Sequence, residues 1–233
     1  MSGIVVEVVR KEIKHLHVGV YPPRGRVRVA APFRIDEEAV RLAVVSRLGW
    51  IRRKQKAFEE QVRQSQREMV TGESHYFRGR RYLLDVIEDD VFPSVRLAGP
   101  TSMELRIRPG SDRQARELVL QRWYRRQLRN QIPPLLGKWE PTIGENVAEV
   151  RIKKMKTLWG SCNAASRRIW LNLELAKKPA SCLDFILVHE MVHFLVRGHN
   201  ERFRDRMNSL LPAWRSYRDE LNRAPLAHVD WAY

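Results

Sequence analysis

Residues 189–199 read His189-Glu190-Met191-Val192-His193-Phe194-Leu195-Val196-Arg197-Gly198-His199. The H-E-x-x-H spacing makes chemical sense only on a helix, where side chains at i and i+4 lie one turn apart on one face. There both imidazoles reach a single metal ion. Zinc takes nitrogen ligands at about 2.0–2.1 Å, and a catalytic site uses three protein ligands plus a water. Glu190 sits about 100° around the helix from His189. It stands outside the ligand pair but can serve a metal-activated water as general base.

His199 is the candidate third ligand. A straight helix would carry it about 9 Å beyond His193, so the chain must turn back. Gly198 allows the turn through the left-handed conformation that ends helices. Arg197 in the last turn suits the negative helix end. Asn200 then caps a new helix through Glu201-Arg202-Phe203-Arg204. Glu201 and Asp205 remain rival third ligands. The motif lies in an apolar stretch, Leu183 to Val188, that suits a buried helix, where unpaired histidines and a carboxylate are costly. Chance would place H-E-x-x-H in roughly one such chain in a hundred.

The 43 lysines and arginines exceed the 27 acids by 16. That charge points to polyanions, nucleic acid before an anionic membrane, or to solubility alone. Two cysteines, Cys162 and Cys182, form no framework and no C-x-x-C pair, which favours a reducing, cytoplasmic setting. Cys182 lies two turns before His189, about 10 Å along the axis and out of ligand range. Cys162 comes from a separate segment and stays open as a fourth ligand. The N-terminus is charged too early for a signal peptide, and no apolar run reaches membrane-spanning length.

Alternation predicts strands around Leu16, Val18 and Val20 and around Val27 and Val29, with a turn at Pro22-Pro23-Arg24-Gly25. Asp36 opens one helix carrying Val40, Val44, Leu48 and Ile51. Strand signals follow at His75–Phe77, at Arg80–Val86 beyond a turn at Arg78-Gly79, and at Met103, Leu105 and Ile107. Asp112 starts a second helix running towards Ile132-Pro133-Pro134. It carries Arg113, Arg116, Arg122, Arg125, Arg126 and Arg129 against Glu117 alone. Such one-sided charge is either a solvated face or a phosphate-binding surface, with Arg122, Arg125 and Arg126 as the candidate contacts. Further strands are expected at Val150–Ile152, Thr157–Trp159 and Ile169–Leu173, before the metal helix with Pro179 in its opening turn. The pattern predicts an α+β protein: an N-terminal β-rich α+β domain over 1–110 and a catalytic domain over 111–233. In the last strand, Trp170 and Asn172 share a face, and this strand is a candidate edge for an extended peptide, with an ordinary core strand as the alternative.

These residues resemble a family. Val27-Arg28-Val29-Ala30-Ala31-Pro32, Gly49-Trp50-Ile51, Gly72-Glu73, Gly79-Arg80-Arg81-Tyr82, Trp159-Gly160-Ser161-Cys162, Ile169–Asn172 and His189–His199 together are similar to the YgjP-like zinc metallopeptidases, relatives of the SprT-like proteases. The resemblance covers nearly the whole chain. It implies a zincin-like catalytic fold, zinc on His189, His193 and His199, and Glu190 as base. Leu158 stands where the family commonly has arginine, and Met191-Val192 replaces a commoner leucine-alanine pair. The expected function is zinc-dependent hydrolysis of a protein or peptide substrate. The alternative is a basic nucleic-acid-associated protein with a structural zinc, which would need a fourth ligand such as Cys162. Nothing in the sequence sets the oligomeric state.

Overall fold

Valine alternation shapes the start of the chain. β1 (Val6–Lys11), β2 (His17–Tyr21) and β3 (Arg26–Pro32) form a sheet in the order β1-β3-β2, with β3 parallel to β1 and antiparallel to β2. The two-residue period turns Val27, Val29 and Ala31 to one face, where all three are fully buried. Val40, Val44 and Ile51 from α1 (Glu37–Val45) and α2 (Leu48–Glu60) complete this core. Asp36 caps α1 by accepting from the Ala39 amide at 2.7 Å. The single helix expected here is two. The Ala43 carbonyl is taken by the Ser46 hydroxyl and the Arg47 guanidinium, both at 3.1 Å, and the Arg47 amide turns to Val44 at 3.0 Å.

The computed structural model describes residues 3–21, 25–60, 67–155 and 158–223. Pro22, Pro23 and Arg24 of the expected first turn, and Thr157 of an expected strand, lie outside the described residues. Among those described, the protein is mixed α+β, with three small sheets and six α-helices. No described helix is long and apolar enough to cross a membrane.

The chain divides into compact units after Gln64 rather than at 110. The second unit holds a four-stranded sheet of β4 (Ser74–Phe77), β5 (Arg80–Glu88), β6 (Ser94–Ala98) and β7 (Ser102–Ile107), in the order β4-β5-β7-β6. This sheet and the helix after it share one core. Met103, Leu105 and Ile107 are buried, as their alternation predicts, together with Leu120, Trp123 and Leu128 of α3 (Arg113–Ile143). The Phe77 and Trp123 rings lie 4.7 Å apart, and the Tyr124 hydroxyl donates to the Tyr76 carbonyl at 2.7 Å. α3 continues through Pro133, Pro134 and Pro141, contrary to the stop expected there. Ile132 buries just before the first prolines and Trp139 and Ile143 beyond them, and that tertiary packing outweighs the local cost of proline in a helix.

A third sheet positions the metal motif. β8 (Glu149–Lys153), β9 (Gly160–Asn163) and β10 (Arg168–Asn172) run in the order β8-β10-β9. The strand expected at 157–159 starts instead at Gly160. A 3-10 helix (Leu173–Lys177) leads into α4 (Ala180–Val192), followed by α5 (Glu201–Leu210) and α6 (Trp214–Arg223).

Candidate metal centre

α4 is apolar on almost every side, and Leu183, Phe185, Ile186, Leu187, Val188, Met191 and Val192 are all buried. Such a helix belongs in a core. Asp184, on this helix, accepts from Trp139 Nε1 and from Lys138 Nζ on α3. His189 is in the last turn and His193 is the C-cap, still in helical conformation, so the one-turn spacing survives. The helix ends five residues earlier than the Gly198 turn suggests, and Arg197 lies beyond it. Gly198 does adopt positive φ, at 75°. It brings His199 back just before Asn200, whose side chain caps α5 by accepting from the Phe203 amide at 3.0 Å.

The three histidines converge through their Nε2 atoms. The separations are 3.2 Å for His193–His189, 3.3 Å for His193–His199 and 3.0 Å for His199–His189. Tetrahedral zinc with nitrogens at about 2.0–2.1 Å requires edges of about 3.3–3.4 Å, so this triangle fits the ion closely. The tautomers fit too. His193 Nδ1 lies 3.1 Å from the Val196 carbonyl. A carbonyl only accepts, so the proton is on Nδ1 and the lone pair of Nε2 faces the triangle. Burial, then the charges of His193 and His199, push the His189 pKa down to about 3. Burial also lowers that of His193. Both imidazoles are therefore neutral ligands at ordinary pH. Phe203 floors the group: its ring stacks on His193 at 4.6 Å and stands edge-on to His189 and His199, both at 4.9 Å.

Glu190 faces β9, about 100° around α4 from His189. It is buried, and burial raises its pKa to about 7, partly countered by a hydrogen bond from the Cys162 thiol. Burial first, and the Glu190 charge second, raise the Cys162 pKa to about 12, so the thiol keeps its proton and donates it to the carboxylate. The antiparallel register pairs Leu171 with Gly160 and Ile169 with Cys162. Gly160 and Cys162 thus share the α4-facing side of the sheet with Ile169 and Leu171. A Cβ on Gly160 would stand 2.7 Å from Glu190 Oε1. Only glycine leaves the carboxylate where it is.

Among the described residues, the cluster able to hold a metal is His189, His193 and His199. Glu201 and Asp205 are exposed on α5 and do not join it. Cys162 does not join it either, and Cys182 contacts Glu220 at 3.7 Å instead. Trp170 and Asn172, expected on a peptide-binding edge, lie on β10. β10 is the central strand, paired on both sides. Trp170 pairs with Ser161, on the face away from α4, between Lys153 and Arg168. Asn172 is buried and occupied: Nδ2 donates to the Met155 and Leu158 carbonyls at 2.9 and 2.8 Å, and Oδ1 accepts from the Met155 and Glu174 amides. It pins the loop before β9. Arg122, Arg125 and Arg126 are carried by α3, which supplies no group to the centre.

Sequence reasoning did not identify the roles of Gly160 and Phe203. Phe203 could have been found as the first apolar residue after the Asn200 cap, in phase with Met207. Gly160 carries no such signal, because its neighbour is 30 positions away.

Comparison with curated proteins returns no match. The crystal structure of the metallopeptidase zymogen abylysin of Pyrococcus abyssi is similar at a TM-score of 0.35 and 19% sequence identity, over 38% of this chain and 89% of that one, too little to carry an argument. The family described as YgjP-like, metallopeptidase domain matches residues 16–224, a span that takes in the histidine triangle, Glu190 and the Trp159–Cys162 segment. This chain belongs to the YgjP-like metallopeptidase family.

Proposed function

We propose that the protein is a zinc-dependent peptidase in which His189, His193 and His199 hold the metal and Glu190 is the general base. The observation that carries this reading is the Nε2 triangle with sides of 3.0, 3.2 and 3.3 Å and a buried carboxylate one residue from its first member. Zinc bound there would lower the pKa of a water and polarise a peptide carbonyl. Glu190 takes the proton of that water on its carboxylate and returns it to the leaving amine. Its raised pKa suits both transfers near neutrality, and the Cys162 thiol holds the carboxylate in place. A closed structural zinc would need four protein ligands, and among the described residues three are in reach. β9 is the sheet edge beside Glu190, so an extended protein or peptide substrate can add there as a further strand. Two free thiols fit a reducing, cytoplasmic setting.

Glu190→Gln tests the proposal. It keeps the side chain's shape and removes the proton acceptor. Zinc content should be unchanged, and peptide hydrolysis should fall by about 10²–10⁴-fold. Undiminished hydrolysis in a zinc-loaded variant would refute the assignment.

A further inference from the structure

The arginines of α3 fall into two sets. Arg113 and Arg116 serve the fold. Arg113 pairs with Glu117 at 3.5 Å, and Arg116 pairs with Glu88 at 2.8 Å and donates to the Ser111 carbonyl at 3.0 Å. Arg122, Arg125, Arg126 and Arg129 lie in a stretch, Leu118 to Trp139, without a single Asp or Glu. Among the described residues, none of these four has a hydrogen bond or an ion pair. Arg122, Arg126 and Arg129 are exposed, at i, i+4 and i+7, so they form one stripe. Arg125 is half-buried at its margin. Arg78, also exposed, joins from the β4–β5 turn: its guanidinium lies 5.4 Å over the Phe77 ring, which contacts Trp123.

We propose that this face binds the phosphodiester backbone of a nucleic acid without reading its bases. Some exposed arginines elsewhere have carboxylates, Arg41 with Glu38 and Arg96 with Glu104, both at 2.6 Å. A merely solubilising surface would be expected to mix signs in the same way. Here four like charges stand on a helix whose apolar side is locked in the core by Trp123 and Leu128. That locked side leaves Leu118 as the exposed large apolar residue of α3, little to insert into a lipid surface. The stripe spans about 10.5 Å from Arg122 to Arg129. At about 3.4 Å of axis per phosphate on one strand, it meets about three phosphates. All four residues are arginine, whose planar fork matches phosphate oxygens. Single- and double-stranded DNA and RNA share this chemistry.

The inference is independent of the peptidase reading and is tested by binding alone. Fluorescence anisotropy with labelled duplex DNA, single-stranded DNA and duplex RNA of about 20 nucleotides, titrated with salt, measures affinity and its log–log slope. The full chain is compared with Arg122→Glu/Arg126→Glu/Arg129→Glu. The control, Arg52→Glu/Arg53→Glu/Lys54→Glu on exposed positions of α2, makes the same change in net charge. The α3 variant should lose more than tenfold in affinity and flatten the duplex DNA slope by about 2.7, at about 0.9 per phosphate. The control should keep most of both. If the triple variant misfolds by circular dichroism, Arg126→Ala alone should flatten the slope by about 0.9. Equal losses in both triple variants would overturn the proposal. So would no binding to any of the three nucleic acids at low salt, or binding only to phosphatidylserine vesicles.

Discussion

Gly160→Ala isolates the placement of Glu190, the proposed base, from the metal. The new methyl would lie 2.7 Å from Glu190 Oε1, 2.8 Å from Ile186 Cγ2 and 2.9 Å from Glu190 Cγ, where ordinary contact begins at 3.4 Å. Each contact must open by about 0.5–0.7 Å, and a close-packed interior cannot absorb that in one place. β9 can move out, or the carboxylate can swing away from Cys162 and from the water it is proposed to serve. Overpacking of this size costs about 1–3 kcal/mol, a fall in Tm of a few degrees for a unit this large. A misplacement approaching 1 Å costs on the order of 10²-fold in rate. The expected outcome is a 10–100-fold loss of kcat with zinc stoichiometry intact, because the three histidines are untouched. Turnover of a quenched fluorescent peptide mixture, metal analysis and thermal melts on the same preparation decide it. Wild-type kcat would refute the claim that glycine is needed to seat Glu190. Loss of zinc would show that β9 supports the ligands rather than the base.

Three further outcomes follow from the same geometry. His199→Ala should weaken zinc, measured by chelator competition, by more than the roughly 10–100-fold that loss of an outer-shell partner costs; unchanged affinity would remove it from the ligand set. Asn172→Ala strips partners from two carbonyls and two amides, at about 1–3 kcal/mol for each buried group left unpaired, so its urea midpoint should drop sharply. A normal midpoint with a raised KM would restore Asn172 to a substrate role. Lys178 is buried, and burial lowers its pKa from 10.5 to about 8, with Glu174 opposing the shift. Between those values the unfolded chain holds the extra proton, so stability should rise with pH across the window, by up to about 3 kcal/mol. Lys178→Met should flatten that rise, and an identical pH profile for the variant would count against a desolvated amine.

What the chain could say alone was whatever short-range periodicity encodes. The i, i+4 histidines, the Gly198 turn, the Asn200 cap and the valine and methionine–leucine–isoleucine alternations all act within a few residues of themselves. Each fell where its spacing placed it, although α4 ended sooner than the motif implied. The tertiary structure decided what depends on partners far along the chain. β10 is central rather than an edge because β8 and β9 flank it, so the backbone beside Trp170 and Asn172 is already paired. α3 runs through its prolines because Ile132, Trp139 and Ile143 find a core that no local signal announces. The compact units divide after residue 64, and within the second Phe77 packs on Trp123 across 46 positions. Gly160 lies against Glu190, and Cys162 donates to it, only once β9 packs on α4. Backbone propensity and side-chain period are local energies that a sequence displays directly, whereas close approach between distant segments exists only after the chain has folded.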